Sequence, residues 1–151
     1  MIEYFKSDIF KSDEEIIVHG CNCFCTMGAG IAAQVVRYYP EAWEVDAMTK
    51  RGDPGKLGMF TSWTGQHRFI EDRIVTIVNA YTQYSYTRDK VDVDYKAVET
   101  VMYRIARHFG NYVIAMPKIG CGLAGGDWEV VSGILEEISV NHGKCFHVYE
   151  F

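Results

Sequence analysis

The sequence predicts an α/β fold built on a central mixed, mostly parallel sheet, in a single domain covering residues 1–151. Three observations predict it. Short apolar strands alternate with helical periodicity along the chain. Two of those strands run through glycine-rich loops into helices, the pattern of parallel β–α units. And 151 residues, 48% hydrophobic and 23% charged, suit one soluble globular domain with a core of its own.

The elements follow in order. "IEYF" and "EIIVHG" read as strands, rich in β-branched and aromatic residues. "GIAAQVVRYY" reads as a helix that stops at Pro40, and "EAWEVDAMTKR" as a second helix ending at Gly52. "GDPG" is turn punctuation. "KLGMFTSW" and "RFIEDRIVTIVNAY" give two or three strands around "TGQH". Tyr95, Val98, Val101, Met102, Ile105 and Phe109 then recur at helical spacing, and Gly110 closes that helix. "YVIAM" is a buried strand, Asp127 an N-cap candidate, "WEVVSGILEEI" a helix and "KCFHVYEF" a final strand. No repeat, low-complexity tract or linker interrupts the series.

Composition narrows the function. A formal net charge of −5 argues against a generic nucleic-acid binder, yet backbone N–H groups can hold a phosphate inside an acidic protein. No apolar run approaches about 18 residues, and the start "MIEYFKSDIF" lacks a signal-peptide layout, so no membrane association is expected and a cytoplasmic location is the default. The expected state is a monomer. Cys21, Cys23, Cys25, Cys121 and Cys145 form no disulfide framework. The cluster "CNCFC" is spaced C-x-C-x-C with no second pair, so it reads as small buried residues in a turn, and no metal site is expected.

The chemistry concentrates in two loops. In "MPKIGCGLAGGDW", Gly120, Gly122 and Gly125 fit the G-x-G-x-x-G pattern of dinucleotide binding, with Glu150 at the end of the next strand. Against that reading, a Rossmann domain needs further strands after Glu150. Pro117, Lys118 and Ile119 also lengthen the loop, and Asp127 puts a carboxylate where the pyrophosphate should sit. A P-loop is excluded by the missing lysine of its motif. A second unit, "EIIVHG" followed by "CNCFCTMGAGIAAQ", again opens a helix through Gly28 and Gly30. Two such loops meeting at the carboxyl edge of a sheet can grip a diphosphate from both sides. Turn formation and close packing are the competing explanation for the glycines.

These residues carry a family resemblance. "DIF" after the first strand, "VHGCNCFCTMGAGIAAQVVRYYPEA", "MPKIGCGLAGGDWEVVSGILEEI" and the terminal "VYEF" resemble a macro domain, in order and spacing, from Asp8 to the last residue. The first segment is similar to yeast-type ADP-ribose 1″-phosphate phosphatases. The second is similar to the terminal ADP-ribose protein glycohydrolase subgroup and the DNA-de-ADP-ribosylating antitoxins that share it. The resemblance implies a three-layer α/β/α sandwich that binds ADP-ribose or a derivative, free or protein-linked, with no cofactor.

It also implies roles. Asp8 would accept from the adenine amino group with Ile9 against the base, although Asp8 equally suits a turn or N-cap. Asn22 would address the distal ribose. Gly28, Gly30 and Ile31 would line the first loop. Lys118, Ile119, Gly120, Cys121, Gly122, Leu123, Ala124 and Gly125 would wrap the phosphates, chiefly through the N–H groups of Gly120 to Ala124. Phe151 or Tyr149 would cover the adenine. The glycohydrolase subgroup's aspartate position holds Ala124, and its lysine is missing after the middle strand, where Lys90 is the first to appear. The lysine-adduct mechanism is therefore not carried over. His19, Asn22 and Asp127 remain as catalytic candidates. His19 reads either as a proton carrier in a 1″-phosphate hydrolase or as a structural histidine closing its strand. His67, His108, His142 and His147 read as loop, surface or core residues, and the tyrosines of "AYTQYSY" as cleft lining or ordinary surface.

Overall fold

The computed structural model describes residues 1–87 and 89–150. Six strands, β1 (Ile2–Lys6), β2 (Ile16–Cys21), β3 (Phe60–Gln66), β4 (Ile74–Tyr81), β5 (Ile114–Met116) and β6 (Phe146–Glu150), form one sheet. Its order is β1-β6-β5-β2-β4-β3. Every neighbouring pair is parallel except β3 with β4, an antiparallel hairpin at the edge. The "TGQH" region thus yields two strands, and residues 67–73 are the connection between them.

Four helices cover the sheet: α1 (Gly30–Tyr38), α2 (Pro40–Ala47), α3 (Tyr95–His108) and α4 (Trp128–His142). On one face, Val98, Val101, Met102 and Ile105 of α3 and Val131, Leu135 and Ile138 of α4 pack on Val18, Val78, Ile114 and Met116. On the other, Val35 of α1, Tyr39 and Ala42 pack with Ile17, Val75, Ile77 and Ala115. Alternate strand residues therefore face opposite cores, giving three layers. Pro40 ends α1 and also begins α2, its fixed φ and missing N–H suiting the first helical position. α2 stops at Ala47, short of the expected end at Gly52, because the Thr49 hydroxyl and amide both donate to the Asp46 carbonyl and break the ladder. Asp94 and Asp127 cap α3 and α4 through side-chain acceptors, as expected for Asp127. α4 closes on Gly143 in the left-handed region.

Adjacent strands β2 and β5 send their helices to opposite faces, since α1 belongs to one core and α4 to the other. In open parallel sheets a crevice opens at such a switch point, beyond the carboxyl ends of the strands.

Candidate functional site

A cavity of about 540 Å³ occupies that crevice, within the range of small-molecule sites. The loop after β2 contributes Asn22, Gly28, Gly30 and Ile31 to its wall, and the loop after β5 contributes Lys118, Ile119, Gly120, Gly122, Leu123 and Ala124. The loops face each other directly: a Cβ placed on Gly30 would lie 3.8 Å from Leu123 Cδ1. A third loop, after β4, adds Gln83, Tyr86 and Asp92. It is tied to the second by the Asp92 and Val93 amides, which both donate to the Ala124 carbonyl at 2.8 and 3.3 Å.

Donor N–H groups point to what the cavity holds. α1 begins at Ala29 with no side-chain cap, so its first-turn amides lack the acceptor that Asp94 and Asp127 give α3 and α4. Such an uncapped terminus attracts an anion through both its N–H groups and its dipole. Across the cavity, Ile119, Cys121, Gly125 and Gly126 donate within their own loop. The amides of Gly120, Gly122, Leu123 and Ala124 take no acceptor among the described residues. Two sets of amides that take no acceptor among the described residues thus belong to residues on opposite walls of one cavity. Lys118 adds a cation at the rim, its Nζ 2.9 Å from Glu150 Oε1 and 5.8 Å above the Trp128 ring.

Some glycines serve the fold and others do not. Gly120 has φ of +76°, and a Cβ there would come within 2.6 Å of Val93 Cγ2. Gly28 and Gly122, one in each loop, have neither a positive φ nor any atom within 4 Å of a Cβ, yet both line the cavity. Neither conformation nor packing demands glycine there. A side chain at either position would instead extend into open space at the cavity.

Several expected positions need correction. His19 is fully buried and does not line the cavity; its Nε2 donates to Asn79 Oδ1 at 2.7 Å, while the Asn79 amide donates to the Ala42 carbonyl and Thr61. Burial pushes its pKa down to about 4, with the Asn79 bond opposing part of that drop. Burial thus favours the neutral imidazole and the Asn79 bond gives the ring a structural role, with Sγ of Cys21, a residue of the cavity wall, 3.6 Å from Nε2. Asn22 lines the cavity, but its amide nitrogen donates to Thr26 and its oxygen accepts from the Phe24 amide, so it shapes the loop from within. Asp127 spends an oxygen capping α4 and lies outside the cavity wall. Ile9 is in the core, and Asp8 caps the short turn that follows it by accepting from the Phe10 amide at 3.0 Å; neither lines the cavity. Cys121 and Gly125 sit behind the wall, donating within their loop. Phe151 lies outside the described residues, and Tyr149 stacks on Phe5 at 5.0 Å between centroids. Among the described residues, the donor atoms of Glu3, Cys145 and His147 fall within 4.8 Å of one another. None of the three lines the cavity, and the imidazole is already held between Glu3 and Glu14.

A model of the Macro domain family matches residues 18–135. The chain belongs to the macro domain family. It is 32% identical over 146 residues to a 17.5 kDa protein of the tk–vs intergenic region of Enterobacteria phage T4, covering 92% of this chain and 90% of that one. It is 33% identical over 132 residues to the DNA ADP-ribosyl glycohydrolase of Mycobacterium tuberculosis, 87% of this chain but only 36% of that protein. With the ADP-ribose 1″-phosphate phosphatase of Debaryomyces hansenii it shares 27% identity over 178 residues, covering 98% and 99% of the two. The fold is that of the macrodomain of Mycobacterium tuberculosis DarG, with a TM-score of 0.76 at 23% identity over 100% of this chain and 98% of that one.

Proposed function

We propose that this macro domain binds ADP-ribose and hydrolyses an ADP-ribose derivative at its 1″ position, ADP-ribose 1″-phosphate being the substrate to test first. The observation that carries the reading is the facing pair of donor sets: the uncapped start of α1 and the unpartnered amides of Gly120, Gly122, Leu123 and Ala124. A diphosphate bridging them would satisfy both, each hydrogen bond to a charged oxygen contributing about 1.5–3 kcal/mol. Three or four such bonds, less the cost of association, give micromolar affinity, near −8 kcal/mol. Relatives named for hydrolysis of ADP-ribose 1″-phosphate and of DNA-linked ADP-ribose support the hydrolytic part. Protein-linked ADP-ribose belongs to the same proposal as an alternative substrate.

The test is turnover. The protein is incubated with ADP-ribose 1″-phosphate and both products, ADP-ribose and inorganic phosphate, are quantified. Stoichiometric release above the uncatalysed rate supports the enzyme. Binding without release would leave a recognition module, the reading that the burial of His19 favours.

A further inference from the structure

Away from the cavity, side chains from three segments bring metal-ligating chemistry together. Glu3 and His147 are register partners on the neighbouring parallel strands β1 and β6, so their side chains stand side by side on one face of the sheet. Cys145 lies two residues before His147 and shares that face. A carboxylate oxygen of Glu3, a ring nitrogen of His147 and the Cys145 sulfur all lie within 4.8 Å of one another. Glu14, just ahead of β2, reaches the other side of the ring. Its Oε1 is 2.8 Å from His147 Nδ1 and also accepts from the Tyr149 hydroxyl at 3.1 Å. The imidazole is therefore flanked by two carboxylates, with Nε2 2.9 Å from Glu3 Oε2. A neutral ring has one N–H and can donate to only one of them. Glu14 is the more buried, its side chain 11% exposed against 51% for Glu3, and Tyr149 holds it in place, so it takes the Nδ1–H. Nε2 then turns its lone pair toward Glu3, an arrangement that a cation completes.

We infer that Glu3, Cys145 and His147 form a site for a borderline-soft divalent cation, Zn²⁺ in the first instance, with Glu14 positioning the imidazole. A sulfur, a nitrogen and an oxygen donor suit zinc, whereas Mg²⁺ and Ca²⁺ take oxygen ligands. A ligating histidine characteristically gives its other N–H to a carboxylate, which sets the tautomer and aims the ring, and Glu14 occupies that place. Ligand atoms around tetrahedral zinc stand roughly 3.3–3.8 Å apart, so the trio closes on the ion by movements of about an ångström. The half-exposed Glu3 side chain has the freedom to make them. On binding, the thiol gives its proton to solvent and water fills the fourth position. The bound ion would pin the edge strand β1 to β6. The donors come from opposite ends of the chain, so no ligand spacing in the sequence announces them. None of them lines the cavity, and the site stands independently of the hydrolase reading.

Chelator-stripped protein is titrated with Co²⁺ as a spectroscopic probe, and thermal unfolding is followed with Zn²⁺ or Mg²⁺ added. The wild type should bind one equivalent of Co²⁺ with a thiolate-to-cobalt charge-transfer band that Zn²⁺ abolishes by displacement. Its unfolding temperature should rise with Zn²⁺ and not with Mg²⁺. Cys145→Ser should lose the band. Glu3→Gln, at a half-exposed position, should unfold near the wild-type temperature without metal and bind Zn²⁺ about tenfold more weakly or worse. Glu14→Gln should keep the band and lose about 10–100-fold in affinity. A band that survives Cys145→Ser would place the metal on other cysteines and overturn the site. Absence of the band in the wild type, or undiminished Zn²⁺ affinity in Glu3→Gln, would overturn it as well.

Discussion

Replacing Gly120 by alanine tests how the glycine-rich loop after β5 is built. The residue sits at φ +76°, a region that costs an L-residue roughly 1–2 kcal/mol. Its new Cβ would lie 2.6 Å from Val93 Cγ2 and 3.3 Å from Val93 Cβ. Val93 is only 7% exposed and lies in the core shared with α3 and α4, so it cannot swing into solvent. Overpacking of this kind costs about 1–3 kcal/mol, which brings Gly120→Ala to roughly 2–5 kcal/mol in all. That is a large part of the ~5–15 kcal/mol that holds a domain together. Urea unfolding of Gly120→Ala, Val93→Ala and the double variant forms a closed cycle. Val93→Ala alone should cost about 1–3 kcal/mol for its cavity. The double variant should be more stable than the sum of the two by roughly 1–3 kcal/mol, because removing the valine methyls relieves the clash and leaves only the backbone strain. Costs that add within about 0.5 kcal/mol would refute the packing of Val93 against this loop.

Three further outcomes follow from the geometry. Lys118→Met should change stability by less than about 1 kcal/mol, because its ion pair with Glu150 is part-exposed, at 40% and 34% of the two side chains. In titration with ADP-ribose the same variant should lose roughly ten- to hundredfold in affinity. Because His19 has a folded pKa of about 4 against 6.5 unfolded, the unfolded chain binds the extra proton. The stability it confers is complete above pH 6.5 and is lost as pH falls toward 4, a span of about 3 kcal/mol. Chemical unfolding across that window should show the slope in the wild type and a smaller one in His19→Gln. Tyr81→Phe removes the hydroxyl that donates to Asp46 Oδ1 at 2.7 Å, leaving a carboxyl that is 1% exposed without that donor. A loss of about 1–3 kcal/mol in thermal or urea unfolding is expected.

The sheet, the four helices and the two glycine loops were legible because their signals are local. Apolar spacing marked α3, Asp127 marked the start of α4, and each glycine cluster follows a strand. What was not legible depends on distant partners. Nothing around His19 in the sequence announces Asn79, 60 residues on, whose oxygen accepts a hydrogen bond from its ring N–H and whose strand buries it. Ile9 looked available to a base, but the turn capped by Asp8 directs it into the core. Asp92 lies in an aperiodic stretch and enters the site only because β4 is the neighbour of β2, which brings the third loop to the same edge of the sheet. Its one local hint was its place two residues before the Asp94 cap of α3. The separation of glycines the fold requires from those it leaves open was equally hidden, since Gly120 and Gly122 look alike until φ and neighbours are known.

That separation also supplies the most direct test of the diphosphate cleft. Wild-type protein and the Gly28→Ala/Gly122→Ala double variant are titrated calorimetrically with ADP-ribose, and their thermal stabilities are compared. The cleft predicts micromolar binding by the wild type. It also predicts a double variant of near-wild-type stability, since neither Cβ meets an atom within 4 Å, with affinity reduced at least tenfold. No binding by the wild type, or undiminished binding by the double variant, would contradict it.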